Sequence, residues 1–323
     1  MNDIVTIPPA PPAASGPEPK TGSVAAKVFF GSNGLRAGWR FLIFLIILQA
    51  MSTGLGLALR LLHFGDQRGA APRVLTPLAT VQFEAISFLF VCLATGIMAK
   101  IEHRKFGEYG LPLRSGLQKH FGEGALWGFL GMSGTLLTIF ALHGFRITGL
   151  AIHGPTILGA TAGWSLAFLL VGLSEEFTFR GYAQFTLTSG MGFWPSAFLL
   201  SALFALLHRG NPGETTFGLL SVVVFGLLFC WILWRTGDLW WAVGFHAGWD
   251  WGQTFFYGVH DSGLAPYHNL LNSEFFGPTW LTGGTVGPEA SIFCPIALGI
   301  VALLLGLKHR EARYRPLGTP ARN

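Results

Sequence analysis

The stretch FLLVGLSEEFTFRGY, residues 168–182, decides the reading of the fold. It opens as an apolar helix and then places Glu175, Glu176 and Arg180 inside that helix. The rest of the chain is just as apolar. Of 323 residues, 51% are hydrophobic and 11% are charged, against about 25% charged in an ordinary soluble domain. Mean hydropathy is +0.50. Glycine, at 44 residues, is abundant in the way that membrane helices are. The composition excludes a soluble globular protein and predicts an all-α polytopic membrane protein.

Runs of about 20 apolar residues are long enough to cross a bilayer. They predict about eight transmembrane helices, near 38–59, 82–100, 122–143, 158–182, 192–209, 215–235, 238–259 and 289–307. No internal repeat is visible. Residues 1–30 form a Pro/Ala-rich tail with too little apolar content for a core, and they lack the basic and then apolar pattern of a signal peptide. Residues 31–310 read as one transmembrane domain and 311–323 as a basic tail.

With an even number of spans both termini share a face. That face collects fifteen of the 21 Lys and Arg residues, the other face five, and Arg180 is left within the membrane. The bias puts both termini in the cytoplasm, which suits a bacterial-type inner membrane. It also accounts for the net charge of +5 without nucleic-acid binding. Trp231, Trp234, Trp240 and Trp241 flank a turn at 235–238 and fit an interfacial aromatic belt. Cys92, Cys230 and Cys294 lie in apolar runs, suggest neither a disulfide framework nor a thiolate metal site, and read as small buried hydrophobes.

Charges at bilayer depth cost about 2.5–3.5 kcal/mol each on the lenient insertion scale, so they face the bundle interior, pair, and mark function. Glu176 and Arg180 stand four apart on one helical face, acid first, and read as a buried clamp. Glu175 lies roughly 100° round the helix, with Val171 and Phe179 in place of an i±4 cation, and is free to take a proton from water. SALFALLHRGNP adds His208, and LWWAVGFHAGWDW adds His246 and Asp250 one turn apart. Any one histidine alone reads as a hydrogen-bonded core residue. Together the set supplies what water activation and oxyanion stabilisation need, or the mixed nitrogen and oxygen ligands of a metal site. The H-E-x-x-H pattern, a nucleophile elbow and a phosphate-binding glycine loop are all absent.

EEFTFRGY fits E-E-x-x-x-R, FALLH fits F-x-x-x-H, and HAGWD fits H-x-x-x-[N/D]. In this order on successive helices, over about residues 80–260 with a core near 120–260, the chain resembles the CPBP family of CAAX prenyl endopeptidases and bacteriocin-processing (Abi) proteins. The resemblance implies an eight-helix intramembrane endopeptidase with an intramembrane polar cavity, acting on a membrane-anchored or lipidated peptide or protein. It implies that Glu175 activates the attacking water, His208 assists, His246 and Asp250 stabilise the oxyanion, and Glu176 and Arg180 fix the geometry. Asp250 stands where many relatives have Asn. An ionised Asp cannot donate to an oxyanion, so it is protonated, orients His246 or ligates a metal. The family is described both as metallo- and as glutamate-type peptidases. In the metal case a divalent ion such as zinc falls to Glu175, His208 and His246. The alternative function is a non-catalytic immunity or scaffold protein of the same fold. A proton-coupled transporter ranks below both for want of a repeat.

Straight spans would set Glu175 and His246 in the cytoplasmic half and His208 near the far end, roughly 15–20 Å away at 1.5 Å per residue. A shared site therefore predicts that 182–215, punctuated by Gly181, Gly190, Gly192, Pro195, Gly210, Pro212 and Gly213, is not one simple vertical helix. The Gly-, Pro- and Asn-rich segment 260–288 is either a cover over the non-cytoplasmic mouth or a connector, and reads as the connector.

Overall fold

A computed structural model describes residues 28–31, 34–62, 74–112 and 117–317. Most of the expected N-terminal tail and residues 318–323 of the expected C-terminal tail lie outside them. The chain divides into two units, Met1–Arg36 and Ala37–Asn323. In the first, β1 (Phe30–Gly31) pairs antiparallel with β2 (Gly34–Leu35).

The second unit is mostly helical. It runs α1 (Ala37–Leu61), β3 (Val74–Leu75), α2 (Pro77–Ile101), α3 (Leu117–Ala141), β4 (Phe145–Leu150), α4 (Thr156–Glu176), a π-helical turn (Phe177–Ala183), α5 (Gln184–Met191), α6 (Phe193–His208), α7 (Thr216–Thr236), α8 (Trp240–Asp250), a second π-helical turn (Trp251–Phe256), β5 (Ala265–Pro266), β6 (Leu271–Phe275) and α9 (Phe293–Lys308). Helices occupy all eight expected segments. Among the described residues, five helical stretches are long and apolar enough to cross a membrane: Ala37–Leu61, Pro77–Ile101, Lys119–Ala141, Thr156–Met191 and Thr216–Thr236. Phe193–His208 and Phe293–Lys308 are shorter apolar helices.

Helices alternate between two ends of this unit. At the basal end Arg40 donates to Glu102 at 2.7 Å, Arg235 donates to the Arg310 carbonyl at 2.6 Å, and Lys308 pairs with Glu123. At the distal end β3 pairs parallel with β5 and β4 pairs antiparallel with β6. The 257–292 segment is thus woven into two small sheets and is more than the expected connector.

Glycine sets the closest helix contact. Gly124 and Gly128 on α3 face Trp241 and Phe245, while Gly244 and Gly248 on α8 face Phe121 and Ala125. Small residues four apart let backbones approach without intervening side chains. A methyl on Gly128 would fall 2.0 Å from the Phe245 carbonyl oxygen, and one on Gly248 would fall 2.0 Å from that of Ala125. This contact also corrects the reading of the tryptophan belt. Trp240 and Trp241 are 5% and 1% exposed, because α8 is drawn into the bundle by its glycines and carries them inward.

The helix from Thr156 does not end near 182, as the sequence suggested, but continues to Met191. At Gly181 the backbone departs from helical geometry, with φ −81° and ψ −122°. A β-carbon there would meet the Phe177 ring at 2.5 Å. The chain breaks again at Gly192, whose φ of +87° favours glycine. Pro195 then sits in the first turn of α6, where a missing N–H is harmless. The expectation that 182–215 is interrupted holds, although Phe193–His208 is itself one continuous helix.

Gly128→Ala is expected to destabilise the protein in detergent by about 1–3 kcal/mol, the range for overpacking a filled contact. Gly134→Ala on the same helix, with open space around it, is expected to leave the unfolding midpoint unchanged or slightly raised. Thermal unfolding of the two variants against wild type checks this.

Candidate active site

The polar residues of FLLVGLSEEFTFRGY diverge at once. Glu176 and Arg180 are fully buried on one face, while the Glu175 side chain keeps 30% of its exposure. Arg180 Nη1 donates to Glu176 Oε1 at 3.3 Å. Its guanidinium is enclosed by the rings of Phe179, Phe204 and Phe229, at 5.6, 4.7 and 5.2 Å, where ring faces favour a cation. Gly226 leaves it room, since a β-carbon there would lie 2.8 Å from Arg180 Nη2.

Glu176 Oε1 also lies 3.0 Å from His246 Nδ1. The ion pair that the sequence presents as a self-contained clamp is therefore one end of a relay from Arg180 through Glu176 to His246. A bond from Nδ1–H to a carboxylate fixes ring orientation and leaves Nε2 for other work. His246 Nε2 stands 3.7 Å from Glu175 Oε2 and 3.4 Å from Asp250 Oδ2. The ring stacks on Phe229 at 5.2 Å, so one phenylalanine braces both the guanidinium and the imidazole.

His208 joins by the antiparallel run of α4 and α6. Phe179 packs on Phe204 at 5.1 Å. One turn beyond Phe204 lies His208, and one turn before Arg180 lies Glu176, so the two fall at one level. Despite the separation expected from straight spans, Glu175 and His208 line the same cavity. His208 Nδ1 donates to the Phe204 carbonyl at 2.8 Å, leaving Nε2.

Glu175, His208, His246 and Asp250 all line one cavity of about 710 Å³. Its walls are largely apolar, among them Phe83, Phe168, Leu207 and Phe225. Three carboxylates that the sequence reading missed line it too. Glu84, on α2, accepts a hydrogen bond from Ser174, the residue before Glu175. It is an acid inside an expected span, a signal that applied to it as much as to Glu175. Asp261 accepts from Thr254 at 2.8 Å. Glu289 accepts from the Ser262 N–H and hydroxyl at 3.3 and 3.2 Å. Burial raises the pKa of Asp261 above the usual carboxylate range. Neither Asp261 nor Glu289 stands in a motif, because a loop brings them there.

Zinc holds nitrogen and oxygen ligands at about 2.0–2.2 Å, so the ligand atoms of one site lie within about 4.4 Å of each other. Glu175, His208 and His246 do not gather so closely as a set and do not fit the ion as placed. Among the described residues, the group whose ligand atoms all lie within 4.8 Å is Asp250, Asp261 and Glu289. Such an all-oxygen set suits magnesium, calcium or manganese better than zinc.

Removing the guanidinium should leave Glu176 charged, buried and half-paired. Arg180→Met is expected to cost about 3–5 kcal/mol, the range for breaking a buried pair from one side. Arg180→Met combined with Glu176→Gln should recover part of that loss, and unfolding midpoints of both variants in detergent measure it.

Residues 157–252 match the family model described as type II CAAX prenyl endopeptidase Rce1-like. The segment is similar to an Rce1-like domain of the CPBP family, a likeness that supports a CAAX-type intramembrane protease. It contains Glu175, Glu176, Arg180, His208, His246 and Asp250, and leaves Glu84, Asp261 and Glu289 outside. Among curated proteins there is no match to the chain.

Proposed function

We propose that this chain is an integral membrane endopeptidase that hydrolyses a peptide bond in a membrane-associated or lipidated peptide or protein. The observation that carries the reading is the convergence on one cavity of the polar residues from all three motifs: Glu175, His208, His246 and Asp250. A cavity of about 710 Å³ takes a few residues of extended peptide, and its apolar walls suit side chains that leave lipid with little loss.

Glu175, partly exposed to the cavity, takes a proton from a water molecule as the oxygen attacks the scissile carbonyl carbon. Charge then builds on the carbonyl oxygen, and His246, as an imidazolium whose Nδ1–H is held by Glu176, stabilises it by donating from Nε2–H. Glu176, backed by Arg180, keeps the imidazole turned toward the cavity through Nδ1. His208, with Nε2 left over, helps Glu175 hold the water. As the C–N bond breaks, the proton held by Glu175 passes to the leaving amine, and the carboxylate is restored. Asp250 acts on His246, 3.4 Å from Nε2, because a carboxylate has no proton to offer an oxyanion. This reading gives the base to glutamate.

The same proposal includes eight crossing segments within a domain of 31–310. It places both termini in the cytoplasm of a bacterial-type inner membrane, on the strength of the lysine and arginine bias.

Glu175→Gln keeps the shape and removes the base. Cleavage of a membrane-anchored peptide library by the purified protein is expected to fall by about 10²–10⁴-fold, the usual worth of general-base catalysis, with an unchanged unfolding midpoint. His208→Ala and His246→Ala should also lose cleavage. The wild-type rate should survive a chelator. Turnover by Glu175→Gln at the wild-type rate would overturn the assignment, and chelator-sensitive cleavage would overturn the glutamate-type mechanism.

A further inference from the structure

Five carboxylates line the cavity: Glu84, Glu175, Asp250, Asp261 and Glu289. No lysine or arginine joins them among the described residues. As a peptide bond is attacked, negative charge builds on its carbonyl oxygen beside this acidic wall. Hydrogen-bond donors already aimed at that oxygen offset the repulsion, and fixed donors need no rearrangement at the moment of reaction.

Most side-chain donors on the wall are already committed. The hydroxyls of Thr80, Ser87 and Thr178 donate to carbonyls one turn back in the chain, at 2.9, 3.0 and 2.6 Å. Those of Ser174 and Ser262 donate to Glu84 and Glu289. Thr76 caps α2, where its hydroxyl oxygen accepts from the Ala79 N–H at 3.4 Å.

Asn211 is the exception. It lines the cavity, and among the described residues its side-chain amide has no hydrogen-bond partner. That amide carries two N–H donors and no charge.

Its backbone is firmly held. Asn211 lies in the turn that follows α6. Its N–H donates to the His208 carbonyl at 2.9 Å, and its own carbonyl accepts from the Glu214 N–H at 3.2 Å. The turn packs on the distal segment: a β-carbon on Gly263 would fall 2.0 Å from the Pro212 carbonyl oxygen, and one on Gly213 would fall 2.2 Å from Thr285 Oγ1. Two residues before Gly263, Asp261 accepts from Thr254, in the π-helical turn that follows Asp250. One loop thus braces both the Asn211 turn and the end of α8 that carries His246 and Asp250.

We propose that Asn211 is a further catalytic residue: its Nδ2–H donates to the scissile carbonyl oxygen as that oxygen gains charge, as the neutral partner of His246. The role rests on the peptidase reading above. Asp250 stands one turn from His246, but an ionised carboxylate only accepts, so the amide comes from the end of α6 instead of from α8.

The test uses the purified protein and, as probe, the member of the membrane-anchored peptide library that wild type cleaves fastest. Asn211→Ala is expected to lower kcat by about 10²–10³-fold, the usual loss for one oxyanion donor. KM should stay unchanged, because the bond is made in the transition state. The unfolding midpoint should also hold, because the amide has no partner within the protein. Adding Asp250→Asn to Asn211→Ala puts an amide one turn from His246 and should restore kcat by at least about tenfold. A residue that only shapes its turn gains nothing from that second change. A wild-type kcat in Asn211→Ala, a loss that falls on KM alone, or a loss that Asp250→Asn leaves unrelieved overturns the donor role while the peptidase reading stands. A wild type that cleaves no member of the library overturns the peptidase reading, and the donor role with it.

Discussion

The contact between Glu176 and His246 organises the structure around the site. Glu176 is fully buried, and burying a charge is costly unless it is paired and hydrogen-bonded. It has two partners: Arg180 one turn along its own helix, and an imidazole from a helix 70 residues later in the chain. The first holds the carboxylate in place and the second ties α4 to α8. The rings of Phe179, Phe204 and Phe229 around Arg180 then bring in α6 and α7. Four elements meet around this one buried carboxylate, both of whose partners reach Oε1.

The bundle is built so that this contact can form. Glycines on α3 and α8 allow backbone approach that any β-carbon would prevent, and α8 is thereby set deep enough for His246 to reach Glu176. Both π-helical turns follow immediately on site residues, one after Glu176 and one after Asp250. Such turns recur at functional sites, where an extra residue in the helix re-aims side chains. In the second turn, Thr254 reaches Asp261 and Gln253 reaches the His260 carbonyl. The distal loop is thus fastened over the cavity that α8 helps to form.

The Rce1-like segment and the cavity do not coincide. Residues 157–252 hold the three motifs, whereas Glu84 on α2 and Asp261 and Glu289 in the distal segment come from either side of it. The matched segment therefore supplies only part of the cavity lining, and residues on either side of it supply the rest.

The sequence by itself determined the membrane class, the positions of the helical segments, and the six residues of the three motifs. Hydropathy and i,i+4 spacing are local properties, and a buried charge in an apolar run stands out without any knowledge of its neighbours. It did not show that Glu175 and His208 share a cavity, because that depends on how Thr156–Met191 and Phe193–His208 pack. It took Glu176 and Arg180 for a complete pair, because His246 is reached only by packing. It passed over Glu84, Asp261 and Glu289, whose importance lies in the cavity they share and in no pattern along the chain. Tertiary structure alone decided which charges meet and how the 257–292 segment closes over them, since each depends on contacts between residues far apart in sequence.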